Sequence, residues 1–220
     1  MKKNKKSSFK LTPTVQVFLA TGLFIIGVLA SRNDGMTGWE LSLFHWIYGW
    51  PHLLLPLFFV VTQFGSIYML GLLAIFYLAS RHYHIVLRLL LSGTLAYQLS
   101  GFAKDIWGRA RPGDFLLDVI NRDYIVRGPG FPSGHMALAA VLALTMGHYL
   151  PRRYRWLVWA WILGVGLSRI YLGVHAPLDV VGGFAIGWFC YALFRHVRLY
   201  DIKYRKKRAK IIRGRTPGLI

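Results

Sequence analysis

Cysteine is nearly absent. Cys190 is the only one in 220 residues, so no intrachain disulfide can form and no thiolate metal site has its ligands. Placed within an apolar run, it reads as a small core residue. Acidic residues are scarce too, with 8 Asp and Glu against 27 Lys and Arg and a formal net charge of +19. That imbalance points to nucleic acid or to an anionic membrane surface. Internal repeats are missing, as is any low-complexity segment beyond the basic ends. What is abundant is hydrophobicity. A 55% share of hydrophobic residues and a mean hydropathy of +0.43 exclude an ordinary soluble domain and indicate the bilayer.

The length suits one domain, and apolar runs alternate with short polar connections. A lysine-rich arm, residues 1–13, precedes a run from about Thr14 to Ala30, which is long for the apolar part of a signal peptide and is expected to be retained as a span. From Arg32 to Tyr48 the chain is amphipathic, with Trp39, Trp46, Tyr48 and Trp50 suited to an interfacial helix. Pro51 and Pro56 open an apolar stretch broken at Gly65-Ser66, so a second span is expected at 66–79. Further spans are expected at 85–103, 133–150, 156–171 and 177–194. The expected fold is all-α: a polytopic membrane protein of six transmembrane helices over 14–196, with a basic cytoplasmic tail at 197–220.

Charge orients this topology. The N-terminal arm, the Arg81 to Arg88 turn, the Pro151 to Arg155 turn and the tail hold 20 of the 27 Lys and Arg, as expected for cytoplasmic segments of a plasma-membrane protein. The other seven, with seven of the eight acids, fall on the opposite, outer face. The tail contains Arg205-Lys206-Lys207-Arg208, which in composition resembles a nucleic-acid patch. Its position directly after a span indicates anionic lipid instead.

Three clusters lie at span ends on the outer face: Lys104-x6-Arg111-Pro112, Pro132-Ser133-Gly134-His135 and Ser168-Arg169-x5-His175-x3-Asp179. Lys104, Arg111 and Arg169 supply positive charge, the two guanidiniums in a form that grips a phosphoryl group bidentately. Ser133 suits an N-cap, and the amides of Gly134 and His135 at a helix start form an anion site. Pro177 suits a first helical turn that would hold Asp179 beside His175. An imidazole fixed at one nitrogen by a carboxylate leaves its other nitrogen as base or nucleophile. His175 is therefore the candidate nucleophile toward phosphorus, through a phosphohistidine, and His135 the candidate general acid and base. The cations stabilise the charge that develops on the phosphoryl oxygens, so the set needs no metal or other cofactor.

Read singly, these residues have plainer explanations, such as cations snorkelling to headgroups or a helix-dipole partner for Asp179. Together and in order, they resemble the three-part signature of the type-two phosphatidic acid phosphatase and vanadium haloperoxidase superfamily, with no departure at any motif position over residues 104–179. The resemblance implies a helical, metal-independent membrane enzyme acting on lipid phosphates or diphosphates, of the undecaprenyl diphosphate or phosphatidylglycerophosphate type. Lipid phosphotransfer through the same phosphohistidine and a catalytically silent lipid-binding protein are the alternatives. Outside the signature, Asp105, Arg109, Asp114, Arg122 and Arg127 read as solvated or substrate-rim residues, Arg109 being the best candidate for a second phosphate. The remaining histidines form no set with metal-ligand spacing.

Overall fold

A computed structural model describes residues 11–32, 35–36, 38–123 and 128–195. Most of the basic arm, Arg127 and the tail after Arg195 lie outside the described residues. Helix α1 (Pro13–Ala30) starts where the Thr12 hydroxyl accepts the Val15 N–H at 3.3 Å, with Pro13 preset for the first turn. Next come α2 (Gly38–Tyr48) and α3 (Leu55–Gln63), the latter preceded by a 3-10 turn at His52–Leu54. The chain bends by 79° between α2 and that turn, at Pro51. The Ser66 hydroxyl caps α4 (Ile67–Ala79) by accepting the Met69 N–H. Helix α5 (Tyr83–Trp107) closes on Gly108, whose φ of 56° is one that glycine adopts without strain. The single turn α6 (Pro112–Phe115) and the helices α7 (Gly134–Gly147), α8 (Trp156–Tyr171) and α9 (Pro177–Phe194) complete the order. No strand occurs among the described residues.

Each of the six apolar runs is a helix whose ends fall within four residues of the expected ones, and α2 occupies the amphipathic segment. The apolar stretch after Pro51 is also helical, forming α3. Three segments are long and apolar enough to cross a bilayer by themselves: Pro13–Ala30, Tyr83–Phe115 and Pro177–Phe194. The bent pair Gly38–Tyr48 with His52–Gln63 passes the same test only when its two parts are taken together. Helices α4 and α7 are apolar but have 13 and 14 residues, about 20 Å at 1.5 Å per residue against a hydrocarbon core of about 30 Å.

Helix α7 is the central post. All residues from Met136 to Ala143 are buried, against α5, α8 and α9. Glycines of α9 permit the closest of these approaches, since a Cβ at Gly183 would strike the Ser133 carbonyl. The contact brings the starts of α7 and α9 together, and the Ser133 N–H donates to the Asp179 carbonyl at 2.9 Å. On the outside, Phe18, Ile26, Tyr68, Ile75 and Phe102 are all more than half exposed. An apolar rind of this kind is stable against acyl chains, not water.

Candidate active site

The starts of α7 and α9 and the C-terminal ends of α5 and α8 meet at one end of the bundle. Pro177 opens α9, and Asp179 in its first turn accepts the Ala176 N–H at 2.9 Å through Oδ2. The same oxygen faces His175 Nδ1 at 3.4 Å, and both side chains are buried. Nδ1 being turned to the carboxylate, Nε2 is the atom left for chemistry. His175 stands outside the helices, and its pKa is held well below the ordinary 6.5 by burial first and then by Arg111, Lys104, Arg169 and His135.

Each cation is fixed by neighbouring backbone or side chains. Lys104 Nζ donates to the carbonyls of Pro129 and of Gly130. Arg111 donates from Nε to Gly128 O and from Nη1 to Val174 O, both at 2.7 Å. Arg169 Nη1 meets the Thr62 hydroxyl at 2.9 Å and Asp123 Oδ2 at 2.7 Å. Its Nε is buried without a partner. Ser133 occupies the N-cap position of α7, but its hydroxyl does not cap the helix; it is fully buried and unpartnered. The amides of Gly134 and His135 belong to a first turn that no intrahelical carbonyl reaches. A cavity of about 420 Å³ opens beside Arg111, walled also by Gly108, Asp114, Asn121, Gly128 and Pro129.

Arg109 corrects the sequence reading. It is 3% exposed and is neither solvated nor at a rim. Its guanidinium grips Glu40 through two hydrogen bonds, at 2.7 and 3.1 Å, and its Nη1 also donates to Asp179 Oδ1 at 3.1 Å. Glu40, 2% exposed, accepts the Leu178 N–H at 3.0 Å in addition. A buried chain thus runs Glu40, Arg109, Asp179, His175. Arg122 is likewise not simply solvated, since it stacks on Tyr48 at 3.9 Å and donates to the Tyr171 carbonyl at 3.0 Å. Asp105 and Asp114 are exposed as expected. The signal for Glu40 was present in the sequence, as the sole acid within a mostly apolar and aromatic helix. Among the described residues, no group of three His, Cys, Asp or Glu side chains is placed to hold a metal ion.

Residues 85–203 match the PAP2 superfamily. The chain belongs to this superfamily. A crystal structure of Aquifex aeolicus LpxE superposes with a TM-score of 0.65 at 31% identity, covering 72% of this chain and 95% of that one. The PAP2-type phosphatidylglycerolphosphate phosphatase of Bacillus subtilis superposes equally well, at 26% identity over 86% of this chain and 96% of its own. An undecaprenyl-diphosphatase of Sulfolobus acidocaldarius is 29% identical over 184 residues, 78% of this chain and 82% of that protein. As a PAP2 protein with phosphatase relatives, the chain is an enzyme, a lipid phosphatase.

Proposed function

We propose that this PAP2 enzyme hydrolyses a lipid phosphate or diphosphate, of the undecaprenyl diphosphate or phosphatidylglycerophosphate type, through a phosphohistidine and without a metal ion. The observation that carries the reading is the buried His175–Asp179 pair, in which Nδ1 faces the carboxylate and Nε2 is left for chemistry. In the first step Nε2 of His175 bonds to phosphorus while the bond from phosphorus to the lipid oxygen breaks, and His135 gives that oxygen its proton. In the second, His135 takes a proton from water, the hydroxide displaces His175 and inorganic phosphate leaves. The fixed cations, the Ser133 hydroxyl and the first amides of α7 would receive the phosphoryl oxygens. Arg169 would meet them through the side of its guanidinium that Asp123 and Thr62 do not occupy.

A lipid substrate is supported by an apolar groove of about 270 Å³ between α1, α5 and α9. Its wall includes Phe24, Phe102, Ala103, Trp107 and Phe189, so an acyl or prenyl chain lying there would bring its headgroup toward Lys104, one residue past Ala103. In this reading six helices, α1, α4, α5, α7, α8 and α9, cross the plasma membrane within a 14–196 domain. The buried α7 is shielded by its neighbours and need not match the bilayer thickness. The arm and tail are cytoplasmic and bind anionic lipid, and the active site opens on the outer face. The distribution of basic residues supports that orientation.

The test is phosphate release in detergent with excess EDTA from undecaprenyl diphosphate, phosphatidylglycerophosphate and phosphatidic acid. Wild type is expected to release phosphate with EDTA present, and His175→Ala to lose at least about a thousandfold. Activity that EDTA removes would end the metal-free mechanism, and activity that survives in His175→Ala would reassign the nucleophile.

A further inference from the structure

The end of the bundle away from His175 holds a buried charge for which the mechanism has no use. Arg88, in the second turn of α5, is 0% exposed, and among the described residues none of its three guanidinium nitrogens has a hydrogen-bond partner. The guanidinium lies over the Tyr191 ring, 4.9 Å from its centre. Lys104 follows 16 residues later on the same helix, about 24 Å along the axis, so Arg88 is remote from the phosphoryl site. A second buried polar atom lies at this end, the Thr145 hydroxyl in the last turn of α7, also unpartnered.

Tyr191 forms part of the wall of a cavity of about 360 Å³. Gln16, His148, Arg155, Trp159 and Arg195 also line it, drawn from α1, α8 and the ends of α7 and α9. The Arg88 charge is therefore one aromatic ring away from a space already flanked by two further arginines. Among the described residues no carboxylate lines this cavity. Among the described residues every acid lies on α2, on the C-terminal turn of α5, on α6 and the loop after it, or at the start of α9, all at the other end. A buried guanidinium demands compensation, and here the described chain offers only a ring face. The described residues supply no counter-charge to it.

We propose that this cavity is a second ligand site, for a phosphate-bearing anion. Arg155 and Arg195 would contact the anion directly, and Arg88 behind Tyr191 would supply the buried charge that favours it. Exposed Tyr154, Trp156 and Trp159 ring the same end, the composition of a headgroup-level belt, so the anion is either a lipid headgroup or a free phosphate.

Thermal unfolding of the full chain in neutral detergent, followed by tryptophan fluorescence, tests this. The additives are phosphatidylglycerol, phosphatidylcholine and inorganic phosphate. Wild type is expected to gain about 2–4 °C from phosphatidylglycerol or from phosphate, and nothing from phosphatidylcholine. A response to the lipid alone identifies a headgroup site, and an equal response to inorganic phosphate identifies a soluble anion; either supports the proposal. Arg88→Met should unfold no earlier than wild type before any anion is added, because it removes a buried unpaired charge, and its gain with the anion should fall by at least half. Arg155→Gln combined with Arg195→Gln should lose the gain as well, whereas Arg111→Gln should keep it. Three results would overturn the proposal: no gain in wild type, a gain lost in Arg111→Gln but kept in Arg88→Met, or an Arg88→Met protein already destabilised without anion, which would reveal a partner within the chain.

Discussion

Two buried arginines stand at opposite ends of the same bundle. Arg109 is clasped by Glu40 and Asp179 at distances of 2.7 to 3.1 Å, whereas the Arg88 guanidinium has no hydrogen-bond partner among the described residues. Both are charges removed from solvent, yet they do different things. A guanidinium satisfied on two sides by carboxylates is a fixed structural part, here one that holds the acid facing His175. Left unsatisfied, it is a source of positive potential, with consequences for whatever enters nearby. The acids of the described chain all lie at one end, where Glu40 and Asp179 neutralise Arg109, Asp179 faces His175, and Asp123 holds Arg169.

The comparison can be broken most directly by removing each arginine in turn. Arg109→Leu leaves Glu40 and Asp179 buried as unpaired like charges and should destabilise the fold by about 3–5 kcal/mol. Arg88→Leu strands no partner charge and should be near neutral or stabilising. Matching losses of thermal stability in the two variants would show that pairing does not separate them.

A smaller effect is expected from Glu40→Gln, which keeps the shape of the chain from Glu40 to His175 but removes a charge. One charge-assisted hydrogen bond of about 1.5–3 kcal/mol is weakened. Acting through Arg109 and Asp179, the change should lower kcat about tenfold with little effect on KM, and Glu40→Asp should recover part of the rate. Equal rates for Glu40→Gln and wild type would restrict the pair to a structural role.

The smallest effect expected is in pH dependence. Burial and then the surrounding cations depress the His175 pKa, so the neutral imidazole persists as pH falls past 6.5. The acid limb of kcat/KM that reports this group should lie below the ordinary histidine range. Arg111→Gln removes one of the named causes and should move that limb upward, toward 6.5, besides weakening substrate binding. An acid limb that does not move, or moves downward, would mean that the cation ring does not set the state of His175.

How much of this was legible beforehand differs between helices and partners. Helix positions follow from apolar runs closed by local signals, such as Thr12, Ser66, Gly108 and Pro177, and these act within a few residues of themselves. The three site clusters were legible for a similar reason, because each is a short segment at a helix end. The partner of Glu40 and the burial of Arg88 were not. The Glu40 carboxylate meets Leu178 across 138 positions of sequence, and nothing near residue 40 announces that partner. Arg88 read as one more cation of a basic turn, since exposure cannot be told from composition one turn inside a helix. Ser133 was placed correctly at the start of α7, but its hydroxyl is left over for another use.

By itself the sequence determined an all-helical chain with apolar runs, an asymmetric charge distribution and three motifs at helix ends, because periodicity, capping and composition are local properties. Only the tertiary structure decided which buried charges are neutralised and which are not. Close packing of α7 against the glycines of α9 brings two helix starts together, and the fold of α2 onto that junction carries Glu40 to Arg109. Ion pairing depends on distances of a few ångströms between segments far apart in sequence, and those distances exist only once the helices have packed.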